Sequence, residues 1–339
     1  MKSLAFILPA VLIASFSFCQ NKDSAQFYFN KGVEANASRL FAVASKNFEK
    51  AISFNSNFTE AYIENGKVNL AMRVIGKAYE NFSKAYQLDP KNNEVVSELA
   101  TLSFNNHQFQ KAIDFAQKCV NCNNTSRILG MSYYYLEDYG KAEKYLKVAL
   151  LEHQQDADAS YTLARTYLES DNFQNAISSF QKAIDLQKNN QWMYELGLIY
   201  YNQNDYKNAL KYFQMAVDDG YNKTNDFYEN YGFAQLYSGD TENGIKTLKI
   251  VLERKPNNRE LLNNIAYAMY DTKKYNEALE YFTKVLEMNP KDAPTLYMAG
   301  MTFQKLGEKE KGQKLCDSAI SLDPQLKRYR QKNEVPFGL

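Results

Sequence analysis

The chain has 339 residues with 40 Lys+Arg against 39 Asp+Glu, a formal charge of +1 that gives no electrostatic case for binding nucleic acid. Its 14 Gly and 7 Pro are about 4% and 2% of the residues, below the roughly 7% and 5% of average proteins, which disfavours turn-rich β architectures and collagen-like or disordered tracts. Two His leave little room for imidazole chemistry, whereas 26 Tyr and 21 Phe beside a single Trp are an excess of rings that asks for a reason.

At the amino terminus Lys2 precedes an apolar run from Leu4 to Ala14, followed by Ser15-Phe16-Ser17-Phe18-Cys19-Gln20. This is the layout of a secretory signal, and its apolar core is short for a membrane span. Small Ser17 and Cys19 at −3 and −1 predict cleavage before Gln20, so that residues 1–19 are a leader and the mature chain is periplasmic in a bacterium. An alternative makes Cys19 a lipidated first residue tethered in the envelope, although Phe16 and Phe18 stand where that signal takes an aliphatic and a small residue. Losing Lys2 leaves the mature chain neutral, with no pull toward an anionic membrane.

The rest of the chain repeats itself. Asn65-Gly66, Ala78, Phe82, Ala85 and Pro90 have the same spacings as Ile265-Ala266, Ala278, Phe282, Val285 and Pro290, and the unit is about 34 residues long. A small residue falls at position 8, Ala at 20, Phe at 24, Ala at 27 and, in four units, Pro at 32: Pro90, Pro256, Pro290 and Pro324. The position 8/20/24/27 sets run from Gly32/Ala44/Phe48/Ala51 through Gly197/Ala209/Phe213/Ala216 to Gly300/Gly312/Cys316/Ala319, about nine in all.

The pattern closely resembles the tetratricopeptide repeat, over roughly residues 25–326. That resemblance implies an all-α fold: paired antiparallel helices A and B, stacked into a right-handed superhelical solenoid with a concave and a convex surface. It leaves no room for a separate catalytic domain. Pentatricopeptide repeats share the period and bind RNA, but the neutral charge, the leader and the small residues at 8 and 20 disfavour them. Residues 25–122 are expected to hold three repeats and residues 123–326 six, with residues 327–339 a polar cap and tail carrying Lys327-Arg328-Tyr329-Arg330-Gln331-Lys332.

The third repeat is about four residues short, at the end of its helix B, where Cys119-Val120-Asn121-Cys122 forms a CxxC pair. In an exported chain a local disulfide between Cys119 and Cys122 is the first reading. A redox-active pair would want a helix N-terminus, and this one lies at a C-terminus. A zinc site would want two further ligands, and His107 and His153 lie in different loops, so no metal is expected. The short repeat is expected to change the superhelical pitch near residue 122.

In the family the concave groove is lined mainly from helix A, at positions 2, 5, 9, 12 and 13. Carried onto this sequence, the resemblance implies a partner-binding groove containing Arg127, Met131, Tyr134, Tyr161 and Arg165, then Tyr194, Leu198, Tyr201 and Phe233, then Tyr267, Tyr270 and Tyr297. Glu229, Leu236 and Tyr237 fall in the same register, as does Lys67 in an earlier repeat. Tyrosine supplies a rigid ring and a hydroxyl at little entropic cost, which suits peptide recognition. Arg127 and Arg165 are candidates to meet an acidic residue or a carboxylate terminus of the partner. The family's known clamp for C-terminal carboxylates takes Lys at 5 and Asn at 9 where the first repeat has Phe29 and Val33, and no three repeats restore the set.

Catalytic motifs are lacking: there is no P-loop, GxSxG or HExxH, and pairs such as Asp218-Asp219 and Glu308-Glu310 are ordinary polar helix ends. No catalytic residue and no cofactor is expected. The sequence therefore reads as a non-enzymatic scaffold or adaptor of the bacterial cell envelope, holding a partner peptide or helix in a Tyr-rich groove. A carbohydrate- or peptidoglycan-binding module using the same rings is the alternative.

Overall fold

The computed structural model describes the backbone of residues 8–120 and 122–332, and the side chains of residues 22–120 and 122–329. The expected leader cleavage and the lipidation of Cys19 concern side chains outside the described residues. Every regular element among the described residues is helical. The chain divides into two compact units, Met1–Leu186 and Gln187–Leu339.

The first unit carries five helix pairs: α1 (Leu8–Ala37) with α2 (Phe41–Phe54), α3 (Thr59–Ala71) with α4 (Ile75–Leu88), α5 (Asn93–Asn105) with α6 (Phe109–Ala116), α7 (Thr125–Tyr135) with α8 (Tyr139–Glu152), and α9 (Ala157–Glu169) with α10 (Phe173–Leu186). The second carries α11 (Asn190–Asn202) with α12 (Tyr206–Asp218), α13 (Asn225–Tyr237) with α14 (Thr241–Arg254), α15 (Arg259–Asp271) with α16 (Tyr275–Met288), and α17 (Ala293–Lys305) with α18 (Lys309–Leu322). A 3-10 turn at Pro324–Leu326 and α19 (Lys327–Lys332) follow, and Leu326 and Tyr329 pack onto the last pair. Within each unit the pairs stack in chain order, which is the solenoid arrangement the repeat predicts.

Small residues make the pairs close. A Cβ on Gly66 would reach 2.8 Å from the Phe82 ring, and one on Gly130 would come 2.7 Å from Leu146, so position 8 of helix A is where the position 24 side chain of helix B enters. Phe48, Phe82, Phe180, Phe213 and Phe282 are fully buried as a result, each the centre of its own pair. Each burial of such a side chain stabilises by roughly 1.5–3 kcal/mol, and one pair alone could not supply it on both faces.

Helix ends follow local chemistry. Asn92, Asp156, Asn189, Thr224, Asn258 and Asp292 cap the helices A they precede, each accepting a backbone N–H from the first turn. Helix B ends at a non-helical residue before Pro90, Asp89 (φ −138°, ψ 87°). His153 closes α8 in nearly the same conformation (φ −134°, ψ 85°) with no proline after it, so the proline reinforces a stop that the stacking already sets.

The short third repeat is the visible irregularity. Helix α6 has 8 residues where the other helices B have 13 or 14. Cys119 and Cys122 are joined as a disulfide in the loop that follows, with Cα atoms 5.7 Å apart. The Asn93 amide donates to the Val120 carbonyl at 2.7 Å and accepts the Val120 N–H at 3.2 Å, holding that loop to the start of α5. Ala112, Ile113 and Ala116 of α6 share one core with Ile128 and Leu129 of α7. Residue 122, the expected division of the array, lies inside the first unit, and the core shared by α6 and α7 runs across it.

Candidate functional site

The expected groove residues fall into two groups by burial. Met131, Tyr194, Phe233, Tyr267, Tyr270 and Tyr297 are buried, and Arg127, Tyr134, Tyr161, Arg165, Leu198 and Tyr201 are partly exposed. Several of the first group pack against neighbouring side chains of the solenoid. Tyr297 is 1% exposed because Leu326 and Cys316 close over it in the terminal core. Tyr194 stacks on Tyr221 at 4.5 Å between centroids and accepts a hydrogen bond from Asn230 Nδ2 at 2.9 Å, so its ring fills the gap between successive repeats. Tyr267 meets the Phe282 ring edge-on and Tyr270 meets Tyr275 in the same way. Met131 is part of the core shared by α7 and its neighbours.

The two arginines are engaged within the protein. Arg127 Nε donates to Asp156 at 2.6 Å, and its guanidinium also lies 3.3 Å from Asp158. Asp156 is the cap of α9, so this pair ties one repeat to the next. Arg165 lies between Tyr161 and Glu169 of its own helix, at 3.4 and 3.5 Å. Both expected partner-contacting arginines are thus already paired within the protein, while staying partly exposed. Lys67 is likewise held between Glu64 and Glu94.

A concave site does form in the second unit, across α11, α13 and α15. It is a cavity of about 400 Å³. Tyr201 and Asn202 from the end of α11, Asn204 from the turn and Tyr206 from the start of α12 make one wall. Glu229, Asn230, Phe233 and Tyr237 of α13 make the floor, and Asn264 and Asp271 of α15 the far side. Tyr201 and Phe233 were expected there, and Glu229 and Tyr237 lie in the same groove register. The Tyr267 side chain, one residue-register further along α15, is turned into the core.

Asn202, Asn204, Tyr206, Asn230, Asn264 and Asp271 escaped the sequence reading. Two signals could have found part of this set. Asn230 and Asn264 both stand at position 6, next to the position 5 that was followed. Tyr206 belongs to a recurring ring at position 17, with Phe109, Tyr139 and Tyr275 in other repeats, each packed on the position 12 ring of its own repeat.

The A–B turn explains how the wall is built. Asn204 adopts a left-handed conformation (φ 60°), as do Arg39, Arg73, His107, Glu137, Asp171 and Lys273 at the same place in other repeats. That turn lets Tyr206 double back: its hydroxyl donates to Asn204 Oδ1 at 2.6 Å, and its ring stacks on Tyr237 at 5.2 Å.

The site is electrostatically one-sided. Burial, with help from Asp226 and Glu260 and against Lys255, raises the Glu229 carboxyl above its usual range. Asp271 stands at the rim, and partial shielding from water raises its pKa also. Desolvation pushes the Tyr201 phenol up to about 12 and Tyr237 higher still, so both stay protonated donors at neutral pH. The Tyr237 hydroxyl is buried with no hydrogen-bond partner among the described residues. Buried polar groups are normally paired, so this one is costly where it is. Among the described residues no group of three or more His, Cys, Asp or Glu side chains is placed to hold a metal ion, and no helix is long and apolar enough to cross a membrane.

Comparison with known proteins places the repeats. Patterns of the tetratricopeptide repeat match residues 129–190, 161–222, 259–292 and 293–326. BBSome complex member BBS4 of Xenopus tropicalis is 29% identical over 260 residues, 75% of this chain and 50% of its own length. The Hsp70-Hsp90 organizing protein of Triticum aestivum is 34% identical over 70 residues, 20% of this chain and 12% of its own. The chain thus spans half or less of these curated relatives. Among solved structures, the C-terminal part of a tetratricopeptide-repeat-containing protein from Cytophaga hutchinsonii aligns with a TM-score of 0.51 at 19% identity, covering 68% of this chain and 97% of that one. The likeness is one of fold.

Proposed function

The chain belongs to the tetratricopeptide-repeat family, and from that premise we propose that it is an exported, non-enzymatic scaffold of the bacterial cell envelope that holds a segment of a partner protein in the pocket of α11, α13 and α15. The fold itself suggests a protein–protein interaction role. The observation that carries the finer reading is the cavity of about 400 Å³ edged by four asparagine side chains. An asparagine amide offers a donor and an acceptor side by side, which matches the peptide backbone. The amides of Asn202 and Asn264 have no hydrogen-bond partner among the described residues and are free to do so. Rigid phenols around them lose little entropy on binding.

Export is supported by the leader-like residues 1–19 and by the Cys119–Cys122 disulfide, which suits an oxidising compartment. The relatives are named as a complex member and an organizing protein, which agrees with a role in assembly. The carbohydrate alternative asks for free ring faces, and the Tyr206 and Tyr237 rings each give one face to the other. Peptide docking is therefore preferred.

The test is site-specific photo-crosslinking in the native host. A photo-reactive residue at Tyr206 is expected to give a discrete partner adduct that is absent when the same group replaces Leu151, an exposed side chain of the first unit. Equal labelling at both sites, or none at Tyr206, rejects the pocket as the docking site.

A further inference from the structure

The pocket has a charge sign. It contains the carboxylates of Glu229 and Asp271, and no Lys, Arg or His stands among its described lining residues. Neither carboxylate makes a hydrogen bond or an ion pair with another described residue. This is unlike four acids at the starts of other helices A. Asp156 and Asp158 are taken by Arg127, Glu94 by Lys67, and Asp292 by Arg259 at 3.3 Å. In these pairs a cation of one repeat neutralises an acid at the start of the next, and Glu229 and Asp271 have no such ion pair.

Partly shielded, unpaired carboxylates cost free energy that a matching cation returns. The rings beside them favour the same sign, because an aromatic face attracts a cation. A lysine or arginine side chain meets both needs at once: its methylene stem packs along Phe233 and the tyrosines, and its charged head has acceptors in Glu229 and Asp271. The cavity of about 400 Å³ has room for one such side chain. An acidic side chain would face only like charge. An apolar one would strip water from Glu229 without replacing it.

We propose that this pocket selects a basic side chain, lysine or arginine, in the docked partner segment. The inference rests on the docking reading above and adds the chemistry of what docks. It adds, for the second unit, a preference opposite in sign to the one that Arg127 and Arg165 suggest in the first, because the unpaired charge of this pocket is negative.

The experiment titrates the full protein with four capped nonapeptides of Gly and Ser that carry Lys, Arg, Gln or Glu at the centre. Binding is followed on the side-chain amide resonances of Asn230 and Asn264. The Lys and Arg probes are expected to bind about tenfold more tightly than the Gln probe, with the Glu probe weakest. A variant with Glu229→Gln and Asp271→Asn, nearly isosteric and checked for an unchanged melting profile, is expected to bind all four alike. If the probes shift these amides with equal affinity, or Glu binds best, the charge preference is wrong while docking in the pocket stands. If no probe shifts them, the docking reading fails and the inference with it.

Discussion

Gly197 of α11 lies flush against the ring of Phe213 in α12, so that a Cβ on Gly197 would come to 2.5 Å from the ring's Cδ1. The absence of a side chain is what lets the two helices close, and α11 then carries Tyr201 and Asn202 to the pocket at a fixed height. Gly197→Ala is expected to cost about 1–3 kcal/mol, as overpacking does in a filled core. Gly76→Ala, in the first turn of α4 with nothing near the added carbon, is expected to change stability by no more than about 0.5 kcal/mol. Urea denaturation of the two variants checks the contrast.

The left-handed turn residue offers a second check. Lys273 has φ 64° with a full side chain, a conformation that costs an L-residue roughly 1–2 kcal/mol. Glycine removes that strain but adds freedom to the unfolded chain. Lys273→Gly is therefore expected to raise stability by about 0.5–1 kcal/mol, read as a higher urea midpoint at unchanged slope.

Asp156 has two duties, accepting the Ala159 N–H at 2.9 Å as the cap of α9 and pairing with Arg127 at 2.6 Å. Asp156→Ala is expected to lose about 1–2 kcal/mol, most of it from the cap. Asp158, more exposed and at 3.3 Å, carries only the weaker half of the pair, and Asp158→Ala is expected to change stability by no more than about 0.5 kcal/mol. Thermal melts of both variants separate the roles.

The fold was legible because its signal recurs: Gly or Ala at position 8 and a large side chain at 24, spaced alike through the chain, can only be a packing rule. The short helix B before Cys119 was legible for the same reason, as a break in the count. The site was harder. Positions 5 and 9 point toward the groove in register, yet Tyr194 and Tyr297 are drawn into neighbouring cores, because a ring at a stacking boundary gains more from a second hydrophobic face than from water. Arg127 read as free since its partner, Asp156, is 29 residues away and belongs to the next cap. The left-handed turns were invisible, because Arg39, His107 and Lys273 are not residues that announce φ above zero.

The pocket carboxylates set a pH dependence. The pKa of Glu229 is raised above its ordinary 4.5 and that of Asp271 above 3.8, both by desolvation; Asp226 and Glu260 add to the first and Lys255 opposes it. A raised carboxylate favours the folded state when protonated, so its stabilising contribution is present at low pH and is lost as pH rises through the folded value. Glu229→Gln is thus expected to stabilise the free protein at pH 8 and to be neutral near pH 4. Melting temperatures at the two pH values test this, and an equal effect at both would contradict it. Binding of a basic peptide runs the other way, weakening as pH falls from neutral toward the raised carboxylate values.

The central claim is that a partner segment is held by the α11, α13 and α15 pocket. Once the segment crosslinked at Tyr206 is known, its calorimetric affinity for the wild-type protein and for an Asn202→Ala/Asn264→Ala variant of normal stability is the direct measurement. A loss of about tenfold or more is the result expected if these amides hold the segment. Affinities agreeing within about twofold would contradict it.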